Sequence, residues 1–287
     1  MTIRITEIEF KLLRDLIERE CGIFLADNKA YLIETRLSNL VRESQCASFG
    51  EFYRKARNSP EAETLCRLMV DAITTNETSW FRDQYPYRAL RELILPELQK
   101  GIDQKRRSQI NIWSAGCSTG QEPYSIALTV LDFFQASGGD ALCHNWVKIL
   151  ATDISQSSLS LATRGKYDNT SINRGLPQKY LLRHFQKENN LWALNDSVKK
   201  LVTFKQSNLK IEPGDIAPID VLFLRNVMIY FADALKRELF DRITHLLAPG
   251  GYLFLGTGET VSGYTSAFSM VEQGGAMFYR MKTSNGT

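Results

Sequence analysis

Ile110-Asn111-Ile112-Trp113-Ser114-Ala115-Gly116-Cys117-Ser118-Thr119-Gly120 is a short apolar run that dissolves into small residues. Residues 110–114 read as a buried strand, and the apolar segment about 122–135 after them reads as a helix. Gly116 and Gly120 allow a sharp turn between the two and a close approach of a ligand to the backbone. The same grammar recurs downstream. Strands are predicted at 147–152, 219–224 and 252–256, with helices at about 155–163 and 233–247. Strands alternating with helices form a parallel sheet covered on both faces, with right-handed crossovers. The predicted fold class is therefore α/β, a doubly wound sheet. Ligands of such sheets bind at the carboxyl ends of the strands, which is where Gly116 falls.

Upstream the pattern is helical. Phe10, Leu13, Ile17 and Cys21 recur at helical spacing, and Gly22 is a plausible stop. Asn28 is placed as the cap of a second helix carrying Leu32, Leu37, Leu40 and Val41. Two further helices are expected at about 49–58 and 61–74, the latter opening on Ser59-Pro60 as N-cap and first residue. The expected organisation is an all-helical domain over 1–75 and an α/β domain over 76–287. Residues 166–204 interrupt the alternation. Leu191-Trp192-Ala193-Leu194 and Thr203-Phe204 look like short strands there, and predict a small inserted β-subdomain. The residues after Lys282 read as a frayed tail.

Composition narrows the function classes. Hydrophobic residues make up 44% and charged residues 23% of the 287 residues, so a sizeable core is available. The net charge of +3 is too small to signal nucleic-acid binding by itself. No run approaches the ~18 apolar residues of a membrane helix, and residues 1–7 lack the apolar core of a signal peptide. Neither a membrane insertion nor a secreted product is expected. The five cysteines form no Cys-x-x-Cys pair, which fits reduced thiols and no metal site.

Three strand ends carry the candidate chemistry. Gly116-x-x-x-Gly120 is a loose nucleotide-type turn, equally readable as a tight strand–helix connection. Asp153 ends the second strand, where an acid accepts bonds from both ribose hydroxyls of an adenosine or else caps the next helix. Asp153 lies 37 residues after Gly116, against about 20 in the dinucleotide fingerprint, which disfavours NAD. Arg225-Asn226 follows the third strand, and a polar pair between apolar runs is tolerable only where it faces a ligand.

At this point four blocks match a family. Thr74-Thr75-Asn76-Glu77-Thr78-Ser79-Trp80-Phe81-Arg82, then Trp113 through Ala127 with its Thr-Gly-Gln-Glu-Pro-Tyr-Ser core, then Ala151-Thr152-Asp153-Ile154, and finally Arg225-Asn226-Val227-Met228-Ile229-Tyr230-Phe231 resemble the chemotaxis receptor glutamate methyltransferases, the CheR family. The likeness spans nearly the whole chain in the right order. One departure is Gln121, where the family usually has Glu, while Glu122 is retained. The resemblance implies a class I S-adenosylmethionine-dependent methyltransferase sheet, an all-helical N-terminal domain and an inserted β-subdomain. It implies cofactor contacts at Asn76, Thr78, Arg82, Glu122, Asp153, Asn208, Leu209, Arg225 and Asn226, with Tyr230 near the reacting sulfonium. Arg82 and Tyr230 are the residues expected at the chemistry. Without the resemblance, Arg82 reads equally well as a surface ion pair, Glu122 as a helix-start charge and Tyr230 as a core aromatic.

The implied activity is protein-glutamate O-methylation of chemoreceptors, with S-adenosyl-L-homocysteine as product and no metal. The expected partner is the cytoplasmic helical domain of chemoreceptors, with the enzyme recruited from the cytoplasm to membrane receptor arrays. A monomer is the default expectation. Residues 1–80 hold 11 Lys/Arg against 13 Asp/Glu, so that domain is not basic overall, although Lys29, Arg36 and Arg42 share the second helix. Some family members bind a receptor's C-terminal pentapeptide through a longer, Gly-containing hairpin loop. Gln186 to Leu191 is short and lacks Gly, so independence from that tether is expected. Rival readings are a nucleic-acid methyltransferase, an NAD-dependent oxidoreductase and a non-catalytic cofactor sensor. The first would want a basic groove and prolines after Asn226, where this chain has Val227-Met228.

Overall fold

The computed structural model describes residues 3–136, 143–211 and 218–283. Four helices come first: α1 (Glu7–Cys21), α2 (Ala30–Glu43), α3 (Phe49–Asn58) and α4 (Ala62–Ile73). Each buries one apolar stripe in a common core around Leu13, Ile17, Ile33, Leu37, Phe49 and Phe52. The start of α1 is a capping box. The Thr6 hydroxyl accepts from the Glu9 N–H while the Glu9 carboxylate accepts from the Thr6 N–H, satisfying two donors that a helix start leaves open. Gly22 ends α1 in the left-handed region at φ 79°, the conformation a C-terminal glycine supplies.

Two cap expectations need correction. Asn28 lies inside a 3-10 turn (Asp27–Lys29) and α2 begins after it, without a side-chain cap. Ser59 closes α3 rather than opening α4. Its hydroxyl and carbonyl accept the N–H groups of Glu61 and Ala62, so Pro60 sits in the connecting turn.

Residues 76–109, for which the sequence suggested no element, contain α5 (Tyr85–Ala89), a π turn (Leu90–Ile94) and α6 (Leu95–Asp103). Pro96 lacks the N–H that an α-helical bond needs there, which fits a wider turn just before it.

The α/β part continues with β1 (Ile110–Ala115), α7 (Gln121–Ala136), α8 (Cys143–Trp146), β2 (Val147–Asp153) and α9 (Gln156–Arg164). A small unit follows, with β3 (Lys166–Tyr167), α10 (Asn169–Asn173), α11 (Gln178–His184), β4 (Phe185–Glu188), β5 (Leu191–Leu194) and α12 (Asp196–Lys199). The chain then forms β6 (Val202–Gln206), β7 (Ile219–Leu224), α13 (Asp233–Leu246), β8 (Leu247–Leu255), β9 (Phe268–Gln273) and β10 (Ala276–Met281).

Seven strands make one sheet in the order β6-β2-β1-β7-β8-β10-β9. The first five run parallel, and β10 and β9 are antiparallel additions. From β1 the chain winds outward to β2 and β6, then returns to β7 on the other side, so a switch point lies between β1 and β7. This is the doubly wound sheet expected, with helices on its faces.

Thr203 and Phe204 do not belong to the insertion. They lie in β6, whose register pairs them with Leu150 and Ala151 of β2 as the sheet edge. The separate three-stranded sheet β3-β5-β4 therefore ends at Leu194. The β9–β10 hairpin was not foreseen either. Its strands are half-exposed and carry Met270 and Met277 on the surface, which blurs their apolar alternation. Of the expected tail, residues 284–287 lie outside the described residues.

Among the described residues no helix is long and apolar enough to cross a membrane. All five cysteines are free, and burial pushes the Cys21 thiol up to about 11.

Candidate active site

A cavity of about 270 Å³ opens at the carboxyl ends of β1, β2 and β7. Asn76, Thr78, Arg82, Glu122, Asp153, Asn208, Leu209, Arg225, Asn226 and Tyr230 all line it. Five separate chain segments are thus brought to one place. Cys21 and Ile23 of the helical part close one wall.

The β1 turn makes the floor. Gly116 has φ 79°, and a Cβ there would lie 2.4 Å from the Val227 side chain, so only glycine lets the β1 and β7 loops meet. Its N–H and that of Cys117 both donate to the Thr152 carbonyl. Ser118, at φ 50°, donates its N–H to Asp153 Oδ2 at 2.7 Å and its hydroxyl to the Asn76 carbonyl at 3.1 Å.

Asp153 is buried, and its Oδ1 accepts the Ser155 N–H at 2.9 Å. It does not cap α9. That role belongs to Ser155, whose hydroxyl accepts from the Ser158 N–H. A carboxylate has about four acceptor positions, so the backbone bonds to Asp153 leave capacity for a ligand donor. Burial raises the Asp153 carboxyl above its ordinary range, against the lowering pull of the Ser155 and Ser118 N–H groups.

The opposite end is charged. The Arg225 side chain is 1% exposed and pairs with Asp83, and with Glu122 at 3.4 Å. Glu122 Oε1 accepts from the Ser114 hydroxyl at 2.8 Å. Burial raises the Glu122 carboxyl, with Arg225 opposing that shift. Glu122 and the exposed Asp83 share this guanidinium, and Arg82 also lies close enough to favour the charged form of Glu122. Arg225 Nε is buried with no protein partner. Arg82 is half-buried on the wall, and among the described residues no hydrogen bond or ion pair engages its guanidinium.

The remaining expected residues are held by backbone contacts. Asn208 Nδ2 donates to the Glu20 carbonyl at 2.7 Å, so its amide also anchors the end of α1. Beside it Lys210 Nζ donates to the Glu18 and Arg19 carbonyls, a cation at the negative end of that helix. The Leu209 carbonyl accepts from Arg242. Arg36 of α2 donates to the carbonyls of Ile73 and Thr74 and to the Thr75 hydroxyl. It thereby fixes the strand of chain that delivers Asn76 and Thr78. Tyr230 packs its ring against both the helical core and the core under α13, and its carbonyl accepts the Phe24 N–H at 2.8 Å. An antiparallel bridge joins Ile23 to Phe231.

Sequence reasoning missed Asp83, Lys210 and Glu259. Asp83 had a local signal, adjacency to Arg82, but its partner Arg225 is 142 residues away. Phe81, Asp83, Gln84, Ser118 and Asn226 all have positive φ, and such strain clusters at sites where the surroundings dictate the backbone.

The sheet order and the cavity at its switch point define a nucleotide-type binding enzyme of the class I methyltransferase architecture. Comparison with known families agrees along the length of the chain. The all-alpha domain of CheR methyltransferase matches residues 8–74, and the S-adenosylmethionine-binding domain of CheR methyltransferase matches residues 76–276. The chain belongs to the CheR methyltransferase family. Chemotaxis protein methyltransferase 1 of Pseudomonas aeruginosa is 38% identical over 275 residues, covering 96% of this chain and 98% of that one. The chemotaxis protein methyltransferase of Vibrio parahaemolyticus is 39% identical over 281 residues, covering 98% and 99%. Chemotaxis protein methyltransferase Cher2 of Pseudomonas putida is 37% identical over 276 residues, covering 96% and 98%.

Proposed function

We propose that this protein transfers the methyl group of S-adenosylmethionine to glutamate side-chain carboxylates of chemoreceptors, giving methyl esters for sensory adaptation. The carrying observation is that all ten residues singled out by their likeness to that chemistry line one cavity, with Arg82 uncommitted within it. The likeness of the whole chain to chemotaxis protein methyltransferases supports the choice of substrate.

The donor, when bound, supplies a methyl on an already activated sulfur. Asp153 holds the ribose hydroxyls with the free lone pairs of its carboxylate. Glu122, or the loop around it, takes the ammonium of the amino-acid end. Arg82 meets a carboxylate, either that of the donor or that of the acceptor. The Tyr230 ring faces the sulfonium, a contact worth about 0.5–2 kcal/mol when desolvated. The acceptor carboxylate has an ordinary pKa of about 4.3 and is ionised at neutral pH. No general base is required, and the task of the site is alignment and exclusion of water. This accounts for cavity walls that, among the described residues, carry no histidine.

The partner is the cytoplasmic helical domain of a receptor, to which a cytoplasmic enzyme is recruited at the membrane array. A tether through a receptor C-terminal pentapeptide is not part of this reading. The β4–β5 hairpin turns through Asn189 and Asn190 alone, with Asn189 at φ 55°, and so offers no extended loop. Submicromolar binding of such a pentapeptide would overturn that part.

The test of the activity is transfer of labelled methyl from S-adenosylmethionine to receptor-containing membranes, followed by mild base. Label on the receptor that base releases as methanol is the expected result. Base-stable label would mean methylation of nitrogen and a different substrate class.

A further inference from the structure

We infer that Glu259 is the positioning residue that holds the Asn226–Tyr230 turn in its working shape. The inference rests on reading the cavity as the methyl-donor site. Glu259 follows β8 in Gly256-Thr257-Gly258-Glu259 and is 9% exposed. Its Oε2 accepts the N–H groups of Asn226 and Gly256, each at 2.7 Å, and its Oε1 accepts the Ile229 N–H at 3.2 Å. Among the described residues no cation pairs with it, so backbone donors alone meet the charge.

These three bonds clamp the two loops that follow β7 and β8. Asn226 has φ 58°, in the left-handed region that asparagine enters at less cost than other non-glycine residues. The bond to its own N–H helps to hold it there. Gly256 allows the closeness, because a Cβ there would lie 2.6 Å from Asn226 Nδ2 and 2.7 Å from Glu259 Oε2. The clamp spans the turn from Asn226 to Ile229, so both the Asn226 amide and the neighbouring Tyr230 ring take their places from it. Glu259 itself is not among the cavity-lining residues. It acts through the residues that are.

A glutamine at 259 keeps the shape but replaces one acceptor oxygen by a donor NH₂, so the three N–H groups can no longer all be accepted. The experiment compares wild type, Glu259→Gln and Phe134→Leu, the last a core change on α7 chosen to lower the melting temperature without touching the turn. S-adenosylhomocysteine affinity is measured by calorimetry at a temperature where all three are folded, alongside KM for S-adenosylmethionine and for receptor. The expected result is an affinity loss of about tenfold in Glu259→Gln, with KM for the donor raised, KM for receptor unchanged and Phe134→Leu at wild-type affinity. Wild-type affinity and donor KM in Glu259→Gln would overturn the inference. So would an equal affinity loss in Phe134→Leu, which would trace the effect to stability. Failure of the wild type itself to bind S-adenosylhomocysteine would instead sink the reading of the cavity.

Discussion

Replacing Asp153 by asparagine separates what this residue does for the fold from what it does for the ligand. Each oxygen accepts one backbone N–H, from Ser118 and Ser155, and on the proposed reading a remaining lone pair on each takes a ribose hydroxyl. An asparagine keeps one oxygen, so one ribose bond is lost and the other becomes uncharged. A hydrogen bond to a charged group contributes about 1.5–3 kcal/mol, which corresponds to a loss of about tenfold to 150-fold in S-adenosylhomocysteine affinity. Stability should change far less. One backbone N–H loses its acceptor, costing about 1 kcal/mol or somewhat more. Against this, burial has already raised the Asp153 carboxyl, so the folded state bears a desolvation penalty for the charge that the amide removes. A melting temperature within about 4 °C of wild type is expected. Calorimetric titration with S-adenosylhomocysteine and a thermal melt on the same preparation give both numbers. An unchanged dissociation constant would remove Asp153 from the ligand site. A large drop in melting temperature would show that its backbone bonds, and not the ribose, are its main business.

Three further outcomes follow from the same contacts. Arg225→Met leaves the largely buried Glu122 without its cation, whereas Asp83 already faces solvent, and should lower unfolding free energy by about 1–3 kcal/mol in denaturant titration; a wild-type midpoint would mean that water reaches Glu122. Glu122 and Asp153 both have raised folded-state pKa values, from ordinary values of 4.5 and 3.8. Their contribution to stability is therefore greatest when they are protonated and declines as pH rises through the interval up to the raised values. If the proposed contacts hold, ligand affinity runs the opposite way, because the ammonium and ribose then need the ionised forms, so S-adenosylhomocysteine binding should weaken on acidification through that same interval; pH-independent binding there would contradict those contacts. Lys210→Met removes the cation at the end of α1 and should cost about 1 kcal/mol in unfolding free energy, with no loss expected if the two carbonyls are equally well served by water.

Much of the sheet was legible because its signals are local. Residues 219–224 are buried along their whole length, and the apolar run 221–224 announces such a strand despite Asp220 before it. Gly22 announced the end of α1 for the equally local reason that only glycine takes that backbone cheaply. The misreadings arose where a tertiary contact decided the outcome. Thr203 and Phe204 look the same from the sequence whether they pair with β5 or with β2, and only the packed sheet selects β2. The β9–β10 hairpin is stabilised by one covered face, and its outward methionines mask the alternation. At the site, motif likeness found the residues that line the cavity. It could not find Glu259 or Arg36, whose work is done through backbone atoms of distant segments and leaves no spacing to read.

The short bridge between Ile23 and Phe231 bears on any attempt to build chimeras from this enzyme. It splices the exit of α1 to the loop bearing Tyr230, and the Phe24 N–H donates to Tyr230 itself. A helical domain transplanted from a relative to redirect receptor choice would bring its own residues at 21–25 against this chain's 229–231. The graft junction that looks natural, in the linker near residue 75, would thus rewrite one wall of the donor cavity as well. Chimeras that exchange both segments as a matched pair should keep donor affinity, and those that exchange only the helices should confound altered receptor choice with a loosened reaction centre.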